Sequence, residues 1–357
     1  MIFQDYEIIP YESEFYQQVI DLFKYLLGSD KNRNKDYFNW KYKDNPNAEY
    51  PIGIMALYKR RVVGFRGYCP LRFQIKDKND RIISLIPGDT CVHPEHRRKG
   101  LSVIMGNKAA EEYTGKYSFF LNMTATRNSL PGYLRMGYHP LISKVYLTKY
   151  NTVGLIKYLL FTKMKYKRTV EKISYGKFGN IEVSQQPRPE EIQVLHNNEK
   201  TGVNKVMLYQ DQNFLRWRFS NKWNQYIFLY CIENKILTAY MVIRVSSNQL
   251  RGFIVDYAGT AEASIEKILK FIIKSKYFDV LSIYRFCLIN NLGQKMIELG
   301  FKKESLFRVI ESKVNGELPL MIRPVKQNFN DNDFFIEGLD MRKIENWYLK
   351  GMSYEDF

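Results

Sequence analysis

The stretch "CVHPEHRRKGLS" (residues 91–102) places three consecutive basic side chains directly before Gly100. Apolar, β-branched residues precede it, and apolar side chains recur every three or four positions over residues 101–113. This change of period predicts a strand that ends near Val92 and a helix that begins near Gly100. The first turn of a helix has unpaired backbone N–H groups and the positive end of the helix dipole. The stretch therefore predicts a binding site for a diphosphate, or alternatively a helix start with a solvated basic turn.

Charge and backbone both suit a phosphate at this point. Arg97, Arg98 and Lys99 add positive charge, and Gly100 has no side chain to keep a phosphate away from the backbone. The stretch has neither the P-loop pattern nor the Rossmann glycine pattern. A diphosphate loop of another type, formed by residues 97–102, is predicted.

The composition indicates a folded protein of two domains. The 357 residues are 45% apolar and 15% aromatic, and their formal net charge is +17. That charge attracts polyanions such as phosphorylated cofactors, nucleic acid or an anionic membrane, although a solvated lysine-rich surface explains most of it. No secretion signal or run of 18 apolar residues is found, so a cytoplasmic location is expected. The four cysteines have no C-x-x-C spacing and the four histidines form no ligand cluster with them, so neither disulfides nor a metal is expected.

The order of the predicted elements indicates an α/β fold. Residues 62–70, 71–76 and 82–92 have the composition of strands, and residues 117–125 form a continuous apolar run suited to a buried strand. A short helix that Gly137 ends, followed by a further strand, comes next. Strand, helix, strand and helix in this order predict a layered structure with a parallel pair at its centre.

Three landmarks recur in the same order in the second half of the chain, which indicates a duplication. The pairs are "DYFNWKYKDN" (36–45) with "NFLRWRFSNK" (213–222), Asp89 with Asp256, and "NSLPGYLRMGY" (128–138) with "NLGQKMIELGF" (291–301). Two copies of one α/β fold are therefore predicted, each with a mixed central sheet flanked by helices. The predicted boundaries are 1–150 for the first domain, 151–180 for a basic connecting helix, 181–310 for a degenerate second domain and 311–357 for a C-terminal extension.

The predicted connecting helix is basic and amphipathic. Residues 151–180 hold seven Lys or Arg against one acid, Glu171, interleaved with apolar side chains. Such a helix can lie on an anionic membrane, but packing on the neighbouring domain is favoured.

Two motifs together resemble a known family. The pattern Val92-x-Pro94 followed by Arg97-x-x-Gly100-x-Ser102 is similar to the acetyl-CoA loop of the GCN5-related N-acetyltransferases, whose usual form is [RQ]-x-x-G-x-[GA]. Ser102 departs from the final Gly or Ala. "NSLPGYLRMGY" resembles the later motif of the same family. The resemblance extends over roughly residues 60–145. The loop sequence is most similar to that of tandem-domain, Eis-like members.

The resemblance implies a role for each matched residue. Backbone N–H groups from Arg97 to Ser102 would hold the CoA diphosphate, and the main chain at Cys91 and Val92 would pair with the pantetheine and polarise the thioester carbonyl. Asn128 would hydrogen-bond the pantetheine. The residues implied in binding acetyl-CoA are Cys91, Val92, Arg97, Arg98, Lys99, Gly100, Leu101, Ser102 and Asn128.

Transfer of an acyl group to an amine needs an acid for the departing thiolate and a base for the ammonium proton. Tyr133, which the resemblance implies near the sulfur, is the predicted acid, and a core tyrosine is the alternative. Asp89 is the predicted base, because period-two alternation puts it on the same strand face as Cys91. Cys91 itself is expected to be a buried packing residue.

Other candidates for the base are weaker. Glu95, His93 and His96 lie in a basic turn, where surface positions are expected. The resemblance to Eis-like enzymes also implies a role for the terminal carboxylate, which belongs to Phe357.

The second copy lacks the diphosphate loop. The corresponding stretch, "GTAEASIEK" (259–267), has no R-x-x-G and carries an acid at Glu262, and Met296 stands in place of Tyr133. This copy is expected to bind no CoA and to form a wall of the acceptor cleft.

The leading expectation is an acetyl-CoA-dependent N-acetyltransferase. Its acceptor would be a primary amine of an amino sugar, a polyamine, an aminoglycoside or a peptide. A FemABX-like aminoacyl transferase that uses charged tRNA, and a CoA-binding scaffold without catalysis, are the alternatives. Nucleic acid is otherwise not an expected partner.

Overall fold

The computed structural model describes residues 5–76, 81–143, 145–151, 173–199, 204–246, 251–288, 292–303 and 319–351. The chain divides into two compact units. The first comprises Met1–Ser143, Asn204–Tyr209 and Leu318–Trp347, and the second comprises Lys144–Val203, Gln210–Glu317 and Tyr348–Phe357.

The described strands are β1 (Tyr6–Pro10), β2 (Ile52–Tyr58), β3 (Arg61–Ile75), β4 (Arg81–Val92), β5 (Phe119–Asn122), β6 (His139–Ser143), β7 (Tyr146–Tyr150), β8 (Gly176–Phe178), β9 (Ile181–Ser184), β10 (Val206–Leu208), β11 (Gln225–Glu233), β12 (Ile236–Val245), β13 (Arg251–Gly259), β14 (Val280–Tyr284), β15 (Lys302–Lys303), β16 (Pro319–Pro324), β17 (Phe335–Ile336), β18 (Leu339–Asp340) and β19 (Trp347–Tyr348). The described α-helices are α1 (Tyr16–Leu22), α2 (Lys24–Leu27), α3 (Lys31–Phe38), α4 (Leu101–Glu112), α5 (Leu130–Arg135), α6 (Pro189–Asn197), α7 (Gln212–Phe219), α8 (Glu262–Ser275) and α9 (Leu292–Glu298). A π-helix at Asn39–Lys43 follows α3. None of the described helices is long and apolar enough to span a membrane.

The first sheet runs in the order β1-β2-β3-β4-β5-β16-β6, with β10 and β19 joined beside β3. β4 and β5 are parallel, so the predicted parallel pair is confirmed, and the other neighbours along this order are antiparallel. β3 is one strand of 15 residues where two were predicted, because it continues through Pro70 in its pairing with β4. The core on one face of this sheet is centred on α4 and includes Leu85, Met105, Phe120, Tyr138 and Met321.

Helix α4 follows the predicted period. It begins at Leu101 and ends at Glu112. Of the five predicted apolar positions, Leu101, Met105, Ala109 and Tyr113 are buried and Ile104 is partly buried. Only side chains three and four positions apart share one face of a helix, so this stripe packs on the sheet.

Both sheets contain a strand from a distant part of the sequence. β16, which falls in the predicted C-terminal extension, lies between β5 and β6 in the first sheet. β7, which falls in the predicted first domain, lies between β14 and β15 in the second. The boundaries of the two units therefore differ from the predicted 1–150 and 181–310. Residues 152–172 of the predicted connecting helix lie outside the described residues.

The second sheet runs β15-β7-β14-β13-β12-β11-β9-β8 and repeats the features of the first. Its parallel pair is β13 with β14. Gly137 and Gly300 end their short helices with φ of +81° and +88°. In each case a backbone N–H then bonds back over five residues, from Tyr138 to the Tyr133 carbonyl and from Phe301 to that of Met296. The shared helix ending supports the predicted duplication and the equivalence of Tyr133 with Met296.

Candidate active site

The predicted diphosphate loop, residues 97–102, joins the end of β4 to the start of α4. After a 3-10 turn at Pro94–His96, Arg98 and Gly100 adopt left-handed φ values of +61° and +74°. Gly100 is the residue that precedes α4. Alternation of left-handed and ordinary backbone turns successive N–H groups toward one concavity, which is a recurring way to bind an anion.

The N–H groups of this loop are available to a ligand. Those of Val103 and Ile104 donate to the Gly100 carbonyl at 3.0 and 3.2 Å. Those of residues 98–102 find no acceptor in the part of the chain that the structure describes. A Cβ added at Gly100 would meet no atom within 4 Å, so the space beside the backbone is open. Five donors at a helix start, without partners of their own, match the needs of a diphosphate.

The three basic side chains of the loop differ in what they contact. Arg97 donates from Nε to the Val92 carbonyl at 2.9 Å, and Lys99 donates from Nζ to the Tyr6 hydroxyl at 3.0 Å. Arg98 is exposed and makes no ion pair with the described residues. Arg98 is therefore the basic side chain of the loop that is most readily available to a phosphate.

A gap opens beside β4. Strand β4 pairs with β5 only at Ser84–Phe119 and Leu85–Phe120, whereas it stays paired with β3 as far as Val92. From residue 86 onward β3 is therefore the strand partner of β4 among the described residues. The Cys91 backbone pairs with Phe65 of β3, whereas the Val92 backbone points to the free edge. The Val92 N–H is an amide group that an extended pantetheine arm can pair with.

The side chain of Cys91 does not face this gap. Its Sγ donates to the Leu22 carbonyl at 3.4 Å, and the residue is buried against the first helices of the chain. Burial raises the pKa of the Cys91 thiol to about 11, so the thiol is neutral at pH 7. A buried, protonated thiol is a poor nucleophile, which favours the predicted packing role.

Tyr133 lies on α5, whose start follows the exposed Asn128. The Tyr133 ring is buried, packs edge-on against Tyr138 and lies 5.0 Å from the guanidinium carbon of Arg66. The same guanidinium donates to the Ser102 carbonyl at 3.3 Å. The structure thus brings Tyr133 and the diphosphate loop to the two sides of Arg66, a residue that the sequence analysis did not identify.

Asp89 accepts hydrogen bonds from three side chains, and we call these four residues the Asp89 cluster. The Tyr37 hydroxyl lies 3.0 Å from the carboxylate, that of Tyr42 lies at 2.5 Å and Lys41 Nζ at 2.8 Å. Asp89 itself has a left-handed φ of +48°. The side chains of Lys41 and Asp89 are only 8% and 12% exposed, so their ion pair is buried. A strained residue in a buried polar cluster is typical of functional sites.

Two facing glycines make room for this cluster. Gly67 on β3 lies directly opposite Gly88 on β4. A Cβ on Gly67 would overlap the Tyr42 hydroxyl, and one on Gly88 would lie 3.2 Å from Lys41 Nζ. The π-helix supplies Lys41 and Tyr42, and π-turns recur at functional sites. The two glycines lie in "FRGYCP" (65–70) and "IPGDTC" (86–91). That they face each other is known only from the pairing register of β3 and β4.

The three donors bear on the predicted role of Asp89. Oδ2 accepts from Tyr37, Lys41 and Tyr42, whereas Oδ1 shares only the Tyr37 hydrogen bond and keeps a lone pair for a further donor. Its assignment as the base stays a prediction, whereas its contacts give it the role of an anchor for α3 and the π-helix against β4.

Asp89→Asn is expected to lower the free energy of unfolding by about 3 kcal/mol, because it leaves the buried Lys41 ammonium without a counter-ion. Urea denaturation measures this value. The double variant Lys41→Met/Asp89→Asn should recover at least half of the loss, since it removes the uncompensated cation. A single variant as stable as wild type would contradict the anchoring role. If Asp89 is also the base, the loss of turnover should be largest at acidic and neutral pH.

His93, Glu95 and His96 each bring one possible metal-ligand atom within 4.8 Å of the others, which the sequence analysis did not predict. Their surroundings are basic, and the Tyr25 and Tyr6 hydroxyls bond to His93 Nε2 and His96 Nδ1. Burial and the charge of Lys99 lower the pKa of His96. A neutral imidazole is a possible proton acceptor, but positive neighbours oppose a metal cation at this turn.

The second unit has a corresponding gap that its own chain covers. β13 pairs with β14 only over Arg251–Phe253. Beyond this point Lys350 donates to the Tyr257 carbonyl at 2.5 Å, and Gly351 lies directly against the Val255 backbone. Lys350 also pairs with Asp256 at 3.2 Å, the residue that matches Asp89 in the repeat. A backbone segment and a buried lysine therefore lie where the first unit has an open edge.

Comparison with known proteins identifies the fold. No family model and no curated protein matches the sequence. Among solved structures, a GCN5-related N-acetyltransferase from Anabaena variabilis has a TM-score of 0.61 at 12% identity, over 90% of this chain and 73% of that one. Eis1 from Mycobacterium abscessus has a TM-score of 0.54 at 10% identity, over 90% and 74%. The Saccharomyces cerevisiae N-myristoyltransferase with bound myristoyl-CoA has a TM-score of 0.55 at 13% identity, over 90% and 79%.

The chain therefore has the fold of the GCN5-related N-acetyltransferases, as the two sequence motifs predicted. Each of these structures matches about nine-tenths of the chain, so the likeness extends through both units and includes an Eis protein.

Proposed function

We propose that this protein is an acyl-CoA-dependent N-acyltransferase that transfers an acetyl group from acetyl-CoA to a primary amine. The observation that carries the proposal is the set of five N–H groups at residues 98–102 that have no acceptor among the described residues, next to the open edge of β4. The loop suits a diphosphate and the edge suits a pantetheine arm, so together they fit the two ends of one acyl-CoA. The fold shared with acyltransferases supports the same conclusion.

In this proposal the acceptor amine attacks the thioester directly. Its nitrogen forms a bond to the carbonyl carbon, and the Val92 N–H on the free edge of β4 stabilises the negative charge on the oxygen. The carbon–sulfur bond then breaks and the sulfur keeps the electron pair. Tyr133 donates its hydroxyl proton to that thiolate, and a base takes the proton of the ammonium.

The acyl group and the acceptor are the finer parts of the proposal. Acetyl-CoA is favoured because residues 97–102 resemble the acetyl-CoA loop of the GCN5-related N-acetyltransferases. Myristoyl-CoA, which is bound in the yeast N-myristoyltransferase structure, is the long-chain acyl donor to compare with it. Amino sugars, polyamines, aminoglycosides and peptide amines are the acceptors to test first.

The experiment that tests this function is a thermal-shift series with acetyl-CoA, myristoyl-CoA, CoA and total tRNA. An N-acyltransferase should be stabilised by the acyl-CoA that it uses. Stabilisation by tRNA alone would instead favour the aminoacyl-transferase alternative, which the net charge of +17 makes worth testing. Stabilisation by CoA without turnover of any amine would favour a CoA-binding scaffold.

One CoA per chain is expected. The first unit has the diphosphate loop and the open edge, whereas Glu262 stands at the start of α8 in the second unit and Lys350 covers its strand edge. A diphosphate there would meet a negative charge and an occupied backbone. Titration calorimetry on purified protein should give a stoichiometry near one. Two equivalent sites would show that the second unit also binds CoA.

A further inference from the structure

Arg66 is a buried cation at the centre of the first unit. It lies on β3, is 2% exposed, and points to the side of the sheet that α4 covers. Nε donates to the Tyr68 hydroxyl at 2.9 Å and Nη1 to the Ser102 carbonyl at 3.3 Å. Nη2 is buried and has no hydrogen-bond partner. Arg66 thus has two neutral acceptors and one donor group that nothing in the described chain satisfies.

The position is unfavourable for a positive charge. No carboxylate among the described residues forms an ion pair with Arg66. The guanidinium also lies beneath the first turn of α4, where the helix dipole is positive. Removing a charge from water costs several kcal/mol unless a partner compensates it, and arginine does not escape the cost by losing its proton. The electrons of the surrounding tyrosine rings provide only part of that compensation.

The group beside Arg66 that becomes negative in the proposed reaction is Tyr133. Its ring centroid is 5.0 Å from the guanidinium carbon. Tyr68 on β3 and Tyr138 at the end of α5 are the other titratable groups around Tyr133, and burial raises the pKa of both. Arg323 on β16 faces Tyr68 and Tyr138. Among these tyrosines, only Tyr133 both contacts Arg66 and has a predicted position beside the thioester.

We propose that Arg66 is a positioning residue that acts through Tyr133, by stabilising the phenolate that remains when Tyr133 gives its proton to the departing CoA thiolate. The carbon–sulfur bond breaks, sulfur takes the electron pair and then the proton, and Tyr133 carries the negative charge until solvent water returns a proton. The guanidinium has no counter-ion among the described residues in the resting protein, and it gains one when the proton has moved. This inference rests on the proposed acyltransferase function.

Arg66→Met tests the inference by separating turnover from stability. We expect kcat to fall by about tenfold or more, with the Kd for CoA changed by less than twofold, since Arg66 bonds to the Ser102 carbonyl and to none of the loop N–H groups. The melting temperature should stay the same or rise, because an apolar side chain of similar length replaces an unpaired buried charge. Arg66→Lys should restore part of the lost kcat.

A double-mutant cycle with Tyr133→Phe decides whether the effect passes through Tyr133. If it does, adding Arg66→Met to Tyr133→Phe should leave kcat unchanged. Equal losses in both backgrounds, or a lower melting temperature with kcat intact, would overturn the inference and leave the proposed function in place. A wild-type protein that binds no acyl-CoA and acylates no amine would overturn the proposed function instead.

Discussion

Replacing Gly100 by glutamate is expected to abolish acetyl-CoA binding. The residue has a φ of +74° at the start of α4, and the space beside it is open. A glutamate side chain would extend into the space that the diphosphate needs and would place a negative charge against it. The carboxylate would also accept hydrogen bonds from the N–H groups that the ligand requires. Titration calorimetry with CoA measures the loss directly.

Two control variants separate charge from backbone strain. A non-glycine residue in the left-handed region costs roughly 1–2 kcal/mol wherever it occurs. Gly100→Ala should therefore lower stability while leaving CoA affinity within a few-fold of wild type. Gly115 has a similar φ of +77°, is exposed and has open space beside it, so Gly115→Glu imposes the same strain and charge away from the loop. Unchanged affinity in Gly100→Glu would show that residues 97–102 are not the CoA site.

Tyr133→Phe is expected to lower kcat by about tenfold to a thousandfold with nearly unchanged CoA affinity. The substitution removes only the hydroxyl, so the ring keeps its contacts with Arg66 and Tyr138. Steady-state kinetics with the best amine acceptor and calorimetry with CoA measure the two quantities separately.

Tyr138→Phe is the matched control. This tyrosine is also buried on the same face and packs against Tyr133, but burial raises its pKa well above the usual range, so it holds its proton firmly. Its kcat should stay within a few-fold of wild type. If the two variants lose turnover equally, or if neither does, Tyr133 is a packing residue and the thiolate leaves without its help.

The parts of the fold that depend on local patterns could be predicted from the sequence. The period of apolar residues located α4, and Gly100 and Gly137 marked its start and the end of α5 because both need a left-handed backbone. The predicted diphosphate loop could be located for the same reason: its glycine, its charges and the adjacent helix are contiguous in the chain.

The parts of the fold that depend on long-range strand pairing could not be predicted from the sequence. Tyr42 and Asp89 are 47 residues apart, and their hydrogen bond exists because Gly67 and Gly88 face each other across two strands. Arg66 is one basic residue among 54, and nothing beside it in sequence indicates that it is buried without a counter-ion. The insertion of β16 between β5 and β6 has no local signal at all.

That inserted strand has a consequence for how the protein is made. The ribosome completes Ser143, the last residue of β6, long before it reaches Pro319, and at 5–20 residues per second the interval is about 10–35 s. During that time β5 presents an unpaired edge and β6 has no strand partner in this sheet. Unpaired strand edges favour aggregation and pairing with another nascent chain. The half of the molecule that carries the diphosphate loop is thus the first to be synthesised, yet its sheet can close only after most of the other half has been translated.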